Sequence, residues 1–247
     1  MIEVRDLKKS FGTHRVLDGV NFSIKKGESI VIIGASGGGK SILLKHLIGL
    51  MLPDEGDVLI DGESIAHKNE RELLKVRSKF GMLFQSAALF DSMTVEENVA
   101  FVLRRERKMN DAQIKDRVAE VLDLVDLNDT QQKKPAELSG GMRKRVGLAR
   151  AIVYQPEILL YDEPTTGLDP IVADSIDRLI LRVVERLKVT SIVVTHDMRS
   201  AKLVAQRMLM LHEGKIYATG TPDEIFASKD PIVHRFVNGI SNAEHDI

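Results

Sequence analysis

Residues 29–50, SIVIIGASGGGKSILLKHLIGL, set a run of β-branched residues against a glycine cluster, a lysine and then a new apolar pattern. The run 30–33 reads as a strand buried on both faces, because it is continuous where a half-exposed strand would alternate. After Ser41 the apolar positions Leu43, Leu44, Leu47, Ile48 and Met51 recur at helical spacing. Between strand and helix, Gly34, Ala35, Ser36, Gly37, Gly38, Gly39, Lys40 and Ser41 match G-x-x-x-x-G-K-[ST]. The glycines let backbone N–H groups turn inward around an anion, and the helix behind them presents its positive end. Lys40 adds a mobile charge for β- and γ-phosphates, and Ser41 a hydroxyl for Mg²⁺. Glycine-rich turns are common in α/β proteins, but a strand before and a helix after this motif make the junction a triphosphate cradle.

The rest of the chain fits around that site. At 247 residues with 43% hydrophobic content it can bury a sizeable core, as one large domain or a core with a subdomain. Its 35 basic and 36 acidic residues give no general pull toward nucleic acid, so no nucleic-acid partner is expected. With no cysteine there are no disulfides and no thiolate metal sites. The N-terminus lacks a signal-peptide layout, and the nearest candidate for a membrane span, 42–53, is interrupted by Lys45 and His46. The expectation is a chain soluble by itself.

Short strands are expected over 2–5, 20–24 and 29–33, with turns at 11–13 and 25–28, and further strands over 58–60 and 81–85. From about 94 to 154 the pattern turns helical. Val118, Val121, Leu122 and Val125 form one amphipathic face, and Met142, Val146, Ala149, Ile152 and Val153 another. Strands resume at 158–161, 191–195 and 208–211, with a helix over 171–187. The charge clusters 104–108 and 143–145 read as solvated helix faces. Thr221, Pro222 and Glu224 form a capping-box signature for a last helix through Phe226, and the tail from Lys229 ends polar.

The stretch 158–163 is an apolar strand ending in Asp162 and Glu163, where α/β folds place their chemistry. Asp162 suits a Mg²⁺ shell, and Glu163 suits orienting and polarising a water toward a γ-phosphate. Alone this would be an acidic turn; beside a phosphate cradle it completes one. Leu138, Ser139, Gly140, Gly141 and Met142 open a further helix with small residues and a hydroxyl. That start suits a phosphate, and a plain serine N-cap explains Ser139 equally well.

With these motifs in this order, the chain resembles the nucleotide-binding subunits of ATP-binding cassette (ABC) transporters from Ile2 to about Ser228. The resemblance implies a P-loop NTPase core of α/β class, with an N-terminal antiparallel β subdomain and a helical subdomain inserted at about 90–155. It makes 1–228 the nucleotide-binding domain and 229–247 a C-terminal tail. It implies that Phe11 stacks on adenine, that Gln85 touches Mg²⁺, that 138–142 is the signature, that Asp169 belongs to the D-loop, and that His196 contacts the γ-phosphate. Glu163 and His196 would be the catalytic pair, ATP the nucleotide, and Ser41, Gln85 and Asp162 the Mg²⁺ ligands. Two positions depart from the usual pattern: Ile42 stands where a threonine hydroxyl often reaches the α-phosphate, and Met142 where the signature usually ends in glutamine. In this family two chains sandwich two ATP molecules head to tail, so an active unit needs two copies of this chain or a separate partner subunit, and a second copy is the favoured expectation.

The segment 84–101, FQSAALFDSMTVEENVAF, together with LSGGM and the LDPI at 168–171, resembles the Mla-type (maintenance of lipid asymmetry) phospholipid transport ATPases. That resemblance implies an integral-membrane permease and an MCE-type lipid-binding protein as partners, and a peripheral place on the cytoplasmic face of the inner membrane. The apolar cluster 87–90 suits a permease-docking groove or core. Alternatives are a transporter of another substrate, such as amino acids or a toxic solute, and a soluble ABC ATPase without permease, as in iron–sulfur assembly.

Overall fold

A computed structural model describes residues 1–240. In chain order it contains β1 (Ile2–Phe11), β2 (His14–Ile24), β3 (Ser29–Ile33), α1 (Lys40–Leu47), β4 (Glu55–Ile60), β5 (Glu63–Ser64), α2 (Glu70–Arg77) and β6 (Phe80–Leu83). There follow α3 (Val95–Glu106), α4 (Asp111–Leu124), α5 (Gly140–Ile152), β7 (Ile158–Asp162), α6 (Pro170–Leu187) and β8 (Thr190–Thr195). The described chain closes with α7 (Met198–Val204), β9 (Arg207–His212), β10 (Lys215–Gly220), α8 (Pro222–Phe226) and α9 (Pro231–Val237). These elements form two compact units, one of residues 1–69 with the described residues from 194 on and one of residues 70–193.

In the first unit, an antiparallel sheet runs in the order β2-β1-β4-β5. The expected strand over 2–5 continues to Phe11, because β1 is paired on both sides and its charged half is held by ions. Lys8 meets Glu55 at 2.7 Å and Lys9 meets Asp54 at 2.6 Å. The same unit pairs β3 parallel with β9, and β9 antiparallel with β10. Ile30, Val31, Ile32 and Ile33 are completely buried, as a continuous β-branched run requires. β3 therefore delivers the glycine loop from a fixed base.

In the second unit β6 and β7 pair in parallel, with Phe80 opposite Ile158 and Leu83 opposite Tyr161. The helices of the interval 90–155 begin on side-chain caps: Thr94 and Glu97 form a capping box on α3, and Asn110 and Gln113 form one on α4. Val118, Val121, Leu122 and Val125 are buried as their spacing requires, and so are Val146, Ala149, Ile152 and Val153 of the α5 face, while Met142 of that face is half-buried. The α/β class with an N-terminal antiparallel sheet agrees with the sequence reading.

Several local expectations need correction. The strand expected over 81–85 runs from Phe80 to Leu83, which leaves Gln85 outside it and exposed. Arg104–Lys108 is solvated as expected, but the 143–145 cluster is not uniformly so: Arg143 is exposed while Lys144 is only 6% exposed. Successive residues on a helix turn by about 100°, so one charge of a consecutive three faces inward. The capping box at Thr221 and Glu224 is present, and the tail beyond Lys229 forms α9 before residues 241–247, which lie outside the described residues. Among the described residues no helix is long and apolar enough to cross a membrane.

Because β3 supports the loop through fully buried side chains, Ile32→Ala should cost about 2–5 kcal/mol of stability. Chemical denaturation checks this, a loss below about 1 kcal/mol contradicting tight packing at that position.

Candidate functional site

α1 starts differently from the other helices whose caps are resolved. α5 is capped by Ser139, whose Oγ accepts from the N–H of Met142 at 3.2 Å. α6 is capped by Asp169, accepting from Ile171 and Val172 at 3.0 and 3.1 Å, and α7 by Asp197, accepting from Arg199 at 2.9 Å. α1 opens on Gly39 with no side-chain cap and no acidic residue in its first turn. The place occupied elsewhere by a serine or aspartate oxygen is thereby left to an incoming oxyanion.

At Gly34 and Gly39 the loop before α1 leaves no room for a side chain. Gly39 has φ +93°, and a Cβ there would lie 3.0 Å from Val16 Cγ1; a Cβ on Gly34 would lie 2.5 Å from the Leu211 carbonyl oxygen. Lys40 is 5% exposed and its ammonium donates back to the carbonyls of Gly34 at 2.8 Å and Ala35 at 3.0 Å. The ammonium is thus stored inside the loop it closes, with neutral partners in these two bonds. Ala35, Ser36 and Gly37 are exposed, Gly38 and Ser41 half-buried. In the same unit Phe11 is 47% exposed, with Lys9 Nζ 5.8 Å from its ring centroid. It is therefore a surface ring open to stacking and not a core residue. His196, between β8 and α7, is exposed.

In the second unit the carboxylates leave β7 in unequal states. Asp162 is half-buried, while Glu163 is 8% exposed and takes the left-handed conformation, φ +48°. Its carboxylate accepts from Thr166 Oγ1 at 3.2 Å, and its carbonyl accepts from Thr166 N–H at 3.3 Å and from Lys144 Nζ at 3.1 Å. Lys144 also donates to the Gln85 carbonyl at 2.6 Å. Burial pushes the Lys144 ammonium down to about 8, against the pull of the Asp162 and Glu163 carboxylates. The sequence reading missed this lysine. The signal that marks it is helical spacing, since Gly141, Lys144, Leu148 and Ala151 occur at i, i+3, i+7 and i+10 and are all buried. Gly140 is half-buried and Gly141 buried at the start of the same helix.

Taken unit by unit, the oxygen donors are of the types a nucleotide-bound divalent ion uses. Among the described residues no three His, Asp or Glu side chains converge into a protein-only cage. The second unit offers an amide at the exposed Gln85 and a carboxylate at the half-buried Asp162, and the first a hydroxyl at the half-buried Ser41, each an oxygen donor of the kind Mg²⁺ takes beside substrate phosphates.

Residues 17–166 match the family described as ABC transporter. The chain is 44% identical to the probable ribonucleotide transport ATP-binding protein Mkl of Mycobacterium leprae, over 96% of this chain and 69% of that protein. It is 40% identical to the intermembrane phospholipid transport system ATP-binding protein MlaF of Haemophilus influenzae, over 98% of this chain and 92% of that protein. Among solved structures it resembles the dimeric post-hydrolysis state of the ATP-binding cassette MJ0796 bound to ADP and Pi. The TM-score is 0.82 and the identity 33%, over 90% of this chain and 99% of that one.

Gly39→Ala should lower nucleotide affinity about tenfold or more while leaving the fold intact, because it strains the loop at φ +93° and crowds Val16. Titration with a fluorescent nucleotide checks this, and an unchanged dissociation constant would contradict the tight loop.

Proposed function

Because the chain belongs to the ABC transporter family of ATP-hydrolysing cassettes, we propose that it is the ATPase subunit of an Mla-type transporter, powering phospholipid movement across the cell envelope. The observation that carries the lipid assignment is coverage: MlaF is matched over 92% of its length, whereas Mkl is matched over 69%. Near-complete correspondence supports a shared task for the whole subunit. A ribonucleotide transporter is the second reading, favoured by the 44% identity to Mkl.

In this reading ATP is the substrate. The N–H groups of 34–39 and the Lys40 ammonium bind its phosphates, and Phe11 stacks on its base. Ser41, Gln85 and Asp162 would hold Mg²⁺, which when bound would supply countercharge to the phosphates. Glu163 orients the attacking water and takes up its proton, its carboxylate steadied by Thr166. His196 contacts the γ-phosphate. Ile42 supplies no hydroxyl to the α-phosphate, so binding there rests on the backbone.

The chain carries one cradle and one signature, so both active sites form from two copies. Ser139, Gly140, Gly141 and Asp169 of one copy meet the nucleotide held by the other, and the dimeric MJ0796 cassette supports that arrangement. The γ-phosphate favours the closed dimer, and its loss on hydrolysis reopens it. The nucleotide-binding domain is 1–228, with a helical insert at about 90–155 and a tail from 229.

The same reading places the subunit as a peripheral protein on the cytoplasmic face of the inner membrane, on an integral-membrane permease that works with an MCE-type lipid-binding protein. Phe90 is the docking candidate: it is 42% exposed, with its ring 4.9 Å from that of Phe101, while Ala87 of the same cluster is 1% exposed and belongs to the core.

Glu163→Gln should keep ATP affinity but lower turnover about 10²–10⁴-fold, so that an ATP-bound dimer accumulates in size-exclusion chromatography. Turnover near wild type would remove Glu163 from the reaction. For the cargo, purification from native membranes should yield a permease with an MCE-type protein, and Phe90→Asp should weaken that association more than ATP binding. A transporter that moved ribonucleotides and left envelope lipid composition unchanged on deletion would replace the lipid reading with the second one.

A further inference from the structure

Lys144 plays no part in the chemistry described so far, yet it is buried at high cost. A desolvated ammonium is destabilising unless its protons find acceptors. Here two of them reach carbonyl oxygens that lie far apart in sequence, Gln85 at 2.6 Å and Glu163 at 3.1 Å. One follows β6 and the other follows β7, and both acceptors belong to residues assigned to the reaction.

The surroundings of these carbonyls are strained. Glu163 has φ +48°, and two residues beyond Gln85 the chain passes through Ala87 and Ala88 at φ +61° and +48°. Non-glycine residues enter this region at a cost of order 1–3 kcal/mol each and stay there only when their neighbours hold them. The holding groups are again cations of α5. Arg150 donates to the Ala87 carbonyl at 2.9 Å and to the Ala88 carbonyl at 2.6 Å. Asn98 of α3 fixes the far end of the segment, accepting from the Phe90 N–H at 2.8 Å and donating to its carbonyl at 3.1 Å.

Arg150 and Asn98 bind only the loop after β6. Lys144 joins that loop to the turn carrying Glu163. The Glu163 carbonyl accepts from Lys144 and from the Thr166 N–H, so the orientation of that peptide is set by the lysine and by the turn itself. A hydrocarbon of the same length would fill the space without fixing either peptide plane.

We propose that Lys144 is a positioning residue for ATP hydrolysis: by bridging the Gln85 and Glu163 carbonyls from α5, it fixes both peptide planes together, so that the Gln85 amide and the Glu163 carboxylate reach their working places as one unit. The proposal rests on the ATPase reading above, since it assigns Lys144 a role only through those two residues. It also gives α5 two tasks, a signature cap at Ser139 and, five residues on, a tie to the catalytic carboxylate.

Lys144→Met keeps the stem and deletes the ammonium. In that variant the fluorescent-ATP dissociation constant and KM should stay within about threefold of wild type while kcat falls about 10- to 100-fold. In nucleotide-free protein, amide exchange should accelerate within 85–88 and 163–166 and not elsewhere. Lys144→Arg, which can still donate to two carbonyls, should recover part of kcat. An unchanged kcat overturns the proposal, as does a fall in kcat with unchanged exchange in both segments. A general loss of stability, with exchange raised throughout and kcat restored on cooling, also overturns it. Should Lys144→Met not fold, Lys144→Gln is read by the same measurements, and a wild-type kcat there overturns the bridge. Absence of ATP hydrolysis in the wild-type chain would instead remove the ATPase reading, whereas active wild type with equally active Lys144→Met removes the bridge alone.

Discussion

The bonds from Lys40 to the carbonyls of Gly34 and Ala35 are the interaction on which the first unit is organised. They require the loop to turn back on its own helix, which in turn requires residues without Cβ where Val16 and the Leu211 carbonyl approach. They also require that β3 end, and α1 begin, at fixed places. The fully buried run of Ile30, Val31, Ile32 and Ile33 satisfies the first condition, and burial of Leu43, Leu44 and Leu47 on α1 the second. The two carbonyl bonds hold the buried Lys40 ammonium in place in the loop. An anion entering there meets a cation already desolvated and in place, which is the condition under which charge–charge attraction is strongest.

Helix starts sort the remaining polar groups into two kinds. Where a helix begins on Thr94, Asn110, Asp169, Asp197, Thr221 or Asp230, the side chain satisfies the first turn internally. α1 has no such side chain. Ser139 caps α5 as these residues cap theirs, and it is exposed. The two readings of Ser139 left open by the sequence are therefore compatible, since a hydroxyl that accepts from an N–H still has a proton to donate to a second oxygen.

The strand–loop–helix junction and the acidic end of β7 were legible because their signals are local and dense: uninterrupted β-branched residues, fixed glycine spacing, and two carboxylates after an apolar run. The elements that escaped lack such density. In α2 only Leu73 and Val76 are buried, and β10 alternates between exposed and half-buried residues, so neither shows an apolar run long enough to stand out. The outer half of β1 was hidden for another reason. Lys8 and Lys9 look like solvent-facing turn residues until Glu55 and Asp54 are brought opposite them by pairing with β4. Long-range partners of this kind leave no mark within a short window.

Lys144 shows how the same limit falls on the candidate site. Charge alone groups it with Arg143 and Arg145, yet Arg145 turns to Asp126 at 2.7 Å and to Ser175, a surface ion pair and a hydrogen bond, while Lys144 turns inward to two carbonyls. The difference is one step of about 100° around α5. What separates the two residues chemically is their acceptors. A carboxylate neutralises an arginine at the surface and contributes about 0–1 kcal/mol there. Backbone carbonyls cannot neutralise a lysine; they fix where it points and are themselves fixed in return. A buried cation with only carbonyl hydrogen bonds is thus poor at stabilising a fold and well suited to setting the geometry of peptide planes. Glu163, held at φ +48° with its carbonyl shared between Lys144 and Thr166, is where that geometry matters.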